Sequence, residues 1–339
     1  MYDDYFRVER KKEMAEVRWK LACFVAAWLL GAPALAGDEG FNGRWNIRVD
    51  DEARKRVWWL QVEGAGTSRV SGKFVGAPGG DMDTIPEISV RDGELRFVFV
   101  RHYRGEDRDE KQRGMYGARL VGDKLVGTFG LEDEPAPRSK WVGERALEIT
   151  DQDDGTWKAG TPIVLFDGQD LSKWNPVIPG RPLGWAVKQG ILVNEPHANN
   201  IESKDKFWNF EAHLEYRLRA HSNSGVGLRG RYEVQIQDDY GKQLDSHGHG
   251  ALYSRIAPRV NASKPAGEWQ TLDIRLVGRY VTVVLNGTKI IDKGYVEGFT
   301  AMATDADEAQ PGPLVIQGDH MPVEFRRITV TPLVKQTGN

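Results

Sequence analysis

Runs of side chains that alternate apolar and polar, each closed by a glycine or an Asn-Gly pair, constrain this chain more than any other feature. Val281-Thr282-Val283-Val284-Leu285 ends at Asn286-Gly287, two residues that tolerate positive φ, so the segment reads as one arm of a tight hairpin. Residues 57–62, 94–99 and 124–129 keep the same period of two between turn residues, which is the pattern of half-buried strands. Long helix-forming runs are scarce, whereas glycine (38 residues) and tryptophan (11) are well supplied. The expected fold class is all-β.

With 339 residues the chain exceeds what one hydrophobic core usually organises, so two domains are predicted. Residues 37–150 form the first, a small antiparallel β-barrel or sandwich opened by Gly43-Arg44-Trp45 and closed by Trp141-Val142-Gly143. Its charge-dense stretch 101–113 is expected to be a solvated loop. No constellation that chemistry needs is found there, and an accessory role is expected. The polar run Asp151-Gln152-Asp153-Asp154-Gly155 marks a linker over 151–160. In residues 161–335, strands are predicted at 210–218, 224–228, 232–237, 270–276, 280–285, 314–317 and 325–331. Strands so short and numerous, without helices between them, suggest two packed antiparallel sheets in a β-jelly-roll.

The first 36 residues read as an export signal. Arg18 and Lys20 precede an apolar stretch from Leu21 to Leu30, followed by Ala34-Leu35-Ala36, the tripartite secretory pattern with cleavage after Ala36. The lone cysteine, Cys23, falls inside that segment. The expectation is a periplasmic or secreted product with no disulfide and no membrane attachment after cleavage. The remainder carries 40 Lys and Arg against 44 Asp and Glu, without the clustered positive charge that nucleic acid needs. Nothing in the sequence sets the oligomeric state.

The stretch from Asn223 to Asp238 is the candidate site. In strands, Val226 and Leu228 share one face and Gly225, Gly227 and Arg229 the other. Tyr232, Val234 and Ile236 likewise turn away from Arg231, Glu233, Gln235 and Gln237. The polar face therefore combines missing side chains, which make room, with a carboxylate, amides and a guanidinium suited to hydroxyls. A plain solvated face is the rival reading. Asp245 and His247-Gly248-His249 resemble a short metal-ligand cluster, but no third histidine stands at a diagnostic spacing. The sequence points to no particular cofactor, and a divalent ion is the one these residues would admit.

Several motifs occur in a familiar order: Leu165-Phe166-Asp167-Gly168 through Lys173-Trp174, Asn223-Ser224-Gly225, Arg229-Gly230, Tyr232-Glu233-Val234-Gln235-Ile236, Lys264-Pro265-Ala266-Gly267-Glu268-Trp269, Leu285-Asn286-Gly287 and Gly312 through His320. This ordered set, over roughly 161–334, resembles the 3-keto-disaccharide hydrolase family, whose fold is a concanavalin A-like jelly-roll. Where that family tends to have Gln-Asp-His, this chain has Gln317-Gly318-Asp319-His320, an apparent one-residue insertion. The resemblance implies an oligosaccharide or glycoside partner oxidised at C3. The ketone acidifies the C2 proton, so one base can remove it and the enolate can expel the oxygen on C1. Glu233 or His320 is the expected base. Arg229 and Gln235 would donate to the ketone or enolate oxygen, and Asn223, Asp238 and Gln317 would hold ring hydroxyls. Lys264 would reach the mouth and His197 the rim. Ordinary glycosidases on this fold carry two or three carboxylates on one strand face. Here the corresponding positions are Glu233, Gln235 and Gln237, which disfavours that chemistry and leaves a non-catalytic carbohydrate-binding module as the main alternative.

Overall fold

The computed structural model describes residues 37–51, 55–76, 80–105 and 108–336; the expected export segment and Cys23 lie outside them. Among the described residues there is no α-helix, only the 3-10 turn Asp38–Phe41, and no helix long and apolar enough to cross a membrane.

The first sheet has nine antiparallel strands. Gly43–Asp50 lies between Val57–Glu63 and Ser139–Arg145, so the earliest and latest strands are neighbours. The sheet curls until Phe74, from Ser71–Val75, meets Phe97 and Phe99 of Glu94–Gly105, with ring centroids 5.2 and 5.4 Å apart. Trp58 fills the middle, edge-on to Phe74, Tyr116 and Phe129. Each such pair adds about 0.5–1.5 kcal/mol beyond its buried area.

The stretch 101–113 is not the loop its charge suggested. Glu94–Gly105 and Arg108–Val121 stay paired from Glu94↔Arg119 out to Gly105↔Arg108. The next strand, Lys124–Leu131, accompanies Arg108–Val121 only from Gly114 onward. Pairing between its two strands satisfies the main chain of a ribbon that runs past its neighbours, so charge density alone does not separate such a ribbon from a loop.

Two further antiparallel sheets make the jelly-roll. The larger centres on Val323–Lys335, Phe210–Leu218, Trp269–Val277 and Tyr280–Leu285; the smaller runs Trp174–Pro176, Ile201–Phe207, Gly312–Ile316, Asn223–Leu228, Tyr232–Gln237. Val226, Leu228, Val234 and Ile236 of the smaller sheet pack on Leu214, Ile274 and Val283 of the larger, all essentially inaccessible. Burying each such side chain is worth about 1.5–3 kcal/mol. Asn286 and Gly287 turn the expected hairpin with φ of 50° and 78°.

The polar run 151–160 is fastened rather than free. Asp151 accepts hydrogen bonds from Trp208 Nε1 at 2.7 Å and Asn209 Nδ2 at 2.9 Å, and Asp153 pairs with Arg275. Trp157–Ala159 then adds to Val323–Lys335, with Trp157 opposite Lys335 and Ala159 opposite Leu333.

All these residues belong to one compact unit. The first sheet meets the loop between Thr288–Tyr295 and Gly312–Ile316, where Trp59 and Val75 pack on Phe299, Ala303 and Ala306. Around that contact, Asn46 Nδ2 donates to Glu308 at 3.3 Å, Arg44 pairs with Glu297, and Lys55 with Glu202.

Candidate functional site

The site lies on the face of the smaller sheet turned away from the jelly-roll core. Strand register sets its rows. Gly227 is opposite Val315 on one side and Glu233 on the other. One pleat along, Gly225 is opposite Gln235 and its carbonyl accepts the Gln317 N–H at 3.0 Å. Asn223 and Gln237 make the next pair. Register thus brings Glu233, Gln235, Gln317 and Asn223 to one surface; for Glu233 and Gln235 it is the face that strand alternation predicts.

The two glycines make space for side chains rather than for an open floor. A β-carbon on Gly225 would lie 2.5 Å from Glu233 Oε1, and one on Gly227 would lie 3.0 Å from Val315 Cβ and 3.1 Å from Met302 Cε. Met302, Val177 and Val315 form a small apolar cluster. Glu233 and Gln235 are each only 2% exposed.

Burial pushes the Glu233 carboxyl up to about 8, helped by the negative charge of Asp319 and opposed by a hydrogen bond from the Met302 N–H. Tyr253 extends the same row past the sheet edge. Its N–H donates to the Glu233 carbonyl at 2.9 Å, beside the Val234↔Leu252 bridge. Its phenol is pushed up to about 12 by burial and by the charges of Glu233, Asp81 and Asp245.

Gln235 Nε2 donates to Gln237 Oε1 at 3.1 Å and to Asn223 Oδ1 at 3.5 Å. Its Oε1, like that of Gln317, is buried with no hydrogen-bond partner among the described residues. Two unpartnered buried acceptors on either side of Gly225 are costly unless a water or ligand hydroxyl meets them.

The extra residue Gly318 lets the chain pass close to a wall. A β-carbon there would be 2.7 Å from Asn199 O and 2.8 Å from Trp185 Nε1. Asn200 Oδ1 then accepts the N–H groups of Gly318 and Asp319 at 2.7 and 3.1 Å. Asp319 Oδ1 is 2.8 Å from His320 Nδ1. The Asp319 bond raises the His320 pKa against the opposing effect of burial. Burial lifts Asp319, but His320 and Arg181 bring it below its ordinary value. His197, at φ 59°, has Nδ1 3.1 Å from the Asp319 carbonyl and donates its N–H to the His320 carbonyl at 2.8 Å. His197 and His320 therefore belong to one rim.

Three expected residues are not brought here. Arg229 follows the end of Asn223–Leu228 at φ 54°, so strand alternation stops before it. Its guanidinium is fully buried, bonded to the Gly278 carbonyl and centred 4.0 Å over the Trp208 ring. Asp238 lies just past Tyr232–Gln237 and caps a turn, accepting the His221 N–H at 2.9 Å. Lys264 is exposed and donates from Nζ to the Trp269 carbonyl at 3.0 Å. The His247-Gly248-His249 pair also diverges. His247 faces Asp81 and Asp245, whereas His249 is buried between Tyr216 and Ser263 and pushed down to about 4. Among the described residues, no three His, Cys, Asp or Glu side chains converge on a metal position.

Asp319, Tyr253 and Met302 were missed from sequence. Only Asp319 left a local signal, as the acid beside the histidine already singled out.

The model of the 3-keto-alpha-glucoside-1,2-lyase-like domain matches residues 161–331. No curated protein matches the chain. A solved structure titled "putative glycosyl hydrolase" from Parabacteroides distasonis ATCC 8503 is similar at 28% identity and TM-score 0.45, covering 55% of this chain and 94% of its own. Another of the same description and organism is 24% identical, with TM-score 0.41 and coverage of 51% and 100%. A prokaryotic β-1,3-1,4-glucanase (lichenase) from a mouse hindgut metagenome is 11% identical, with TM-score 0.34 and coverage of 52% and 100%.

Proposed function

We propose, from the premise that the chain belongs to the 3-keto-alpha-glucoside-1,2-lyase-like family over residues 161–331, that this carbohydrate-active protein cleaves glycosides oxidised at C3, outside the cytoplasm. The observation that carries the reading is that the buried carboxyl of Glu233 is flanked, on its strand face, by amides where a two-carboxylate glycosidase would need acids.

Glu233 takes the proton from C2, whose acidity comes from the adjacent ketone. The C–H electrons form the C2–C3 enolate, which then expels the C1 oxygen and leaves a C1–C2 double bond conjugated to the ketone. Water adding oxygen at C1 and hydrogen at C2 completes a net hydrolysis. A carboxyl pushed up to about 8 is a stronger base than an ordinary one once ionised. His320, whose pKa the Asp319 bond raises, supplies a hydrogen-bond donor for the enolate oxygen or the leaving oxygen. That role passes to it from Arg229, which lies elsewhere. The free Oε1 atoms of Gln235 and Gln317, with Asn223, accept ring hydroxyls, and His197 lines the rim. The export pattern in residues 1–36 supports action outside the cytoplasm.

The test is turnover of matched 3-keto and unoxidised glucosides. Selective release from the keto form, lost in Glu233→Gln, is the expected result. Release from the plain glucoside would indicate a conventional glycosidase, and binding without turnover would indicate a carbohydrate-binding module.

A further inference from the structure

The first sheet lies outside the matched residues 161–331, yet it reaches Glu233 through one loop. Trp58 fills that sheet's interior, so its chain neighbour Trp59 points outward, and it is fully buried against Phe299, Ala303 and Ala306. Gly80 grips the same loop from the side. A β-carbon on it would lie 2.6 Å from Ala301 N, and its carbonyl accepts hydrogen bonds from Ser254 Oγ at 2.8 Å and Arg255 Nη1 at 2.9 Å.

Between these two grips the loop touches Glu233 at two points and covers the row beside it. Thr300 Oγ1 accepts the Glu233 N–H at 2.9 Å, while the Thr300 N–H donates to the Arg231 carbonyl at 3.0 Å. The Met302 N–H donates to the Glu233 carboxylate. The Met302 side chain lies on Gly227 and Val315, covering the row in which Glu233 stands. Without the first sheet, Phe299, Ala303 and Ala306 would have no apolar surface to pack on, and a loop with few buried contacts opens at little free-energy cost.

We propose that residues 299–305 are a positioning loop for Glu233, held closed from outside the family domain by Trp59 and Gly80. The first sheet is then a working part of the site rather than an accessory to it. The proposal rests on Glu233 being the reacting carboxyl. Apart from the loop, the ionisable groups acting on Glu233 are Asp319, next to His320, and Tyr253, none of which the variants below alter.

Two variants test it from opposite directions in the full chain. Trp59→Ala removes packing beneath the loop and leaves the first sheet's interior intact; Gly80→Ala adds an atom against Ala301. Carboxyl-labelled glutamate followed by 13C NMR, with Glu233→Gln assigning the signal, reads the Glu233 titration without substrate. The wild-type midpoint is expected at about 8. It should fall by about one unit or more in both variants, because regained hydration outweighs the lost Met302 bond, while Trp59→Phe keeps the wild-type value. Should Trp59→Ala fail to give a cooperative thermal transition, Gly80→Ala carries the test. An unshifted midpoint in folded variants overturns the proposal. If instead Glu233→Gln keeps full turnover while both midpoints fall, the loop stands and the catalytic reading of Glu233 fails.

Discussion

Glu233 leans across Gly225: its Oε1 occupies the space a β-carbon on that glycine would need, 2.5 Å away. The pair is diagonal, since Gly225 is in register with Gln235 and Glu233 with Gly227. The backbone of Gly225 is not in the left-handed region, so the absence of a side chain serves the carboxyl and not the strand. Gly225→Ala is expected to leave thermal unfolding within a few degrees of wild type. Displacing the carboxylate by about an ångström should cut turnover of a 3-keto glucoside about 100-fold, as initial rates would show.

Stability should carry the signature of Glu233 as pH changes. Its folded pKa is raised from 4.5 to about 8, so the folded state holds the proton more tightly than the unfolded chain. That contribution is fully present below pH about 4.5 and is lost as pH rises through about 8. Glu233→Gln removes the dependence. Wild type should therefore weaken relative to the variant between those limits, by a few kcal/mol; denaturant unfolding at a series of pH values measures it. Parallel curves would remove Glu233 from the list of buried proton-binding groups.

Asp319→Asn should lower two titrations at once. His320 loses the partner that raises its pKa, and Glu233 loses a like charge that raises its own. Imidazole proton NMR for His320 and carboxyl 13C NMR for Glu233 should both move to lower midpoints. A change in only one would mean that Asp319 does not link them.

Arg229→Ala should be costly in a different way. The substitution deprives the buried Gly278 carbonyl of its donor, uncovers Trp208 and leaves a cavity, together worth about 3 kcal/mol or more. Urea unfolding should record that loss while the Glu233 midpoint stays in place. A shifted midpoint with unchanged stability would return Arg229 to the site.

The parts of this molecule legible in the sequence are those governed by neighbours along the chain. Alternation assigned Val226, Leu228, Val234 and Ile236 to the core and Glu233 and Gln235 to the opposite face, and Asn286-Gly287 marked its hairpin. Alternation failed at Arg229, one residue past the strand end, where positive φ breaks the period on which the argument depended. Charge misled at residues 101–113, because charge density does not distinguish a paired two-stranded ribbon from a loop. Tyr253, Met302 and Trp59 were invisible for another reason: each meets the Glu233 row or its loop only through tertiary packing, and no local pattern encodes which remote segment will lie alongside.

The pairing of Trp157–Ala159 with Val323–Lys335 has a mechanical consequence. The register sets Trp157 opposite Lys335 and Ala159 opposite Leu333, so tension applied at Trp157 and Lys335 would meet the rungs one at a time, beginning with the outermost. Such a zipper yields at low force, whereas strands pulled along their length must shear many bonds together. Stretched between these points, the jelly-roll would shed this short strand first, its two packed sheets still whole.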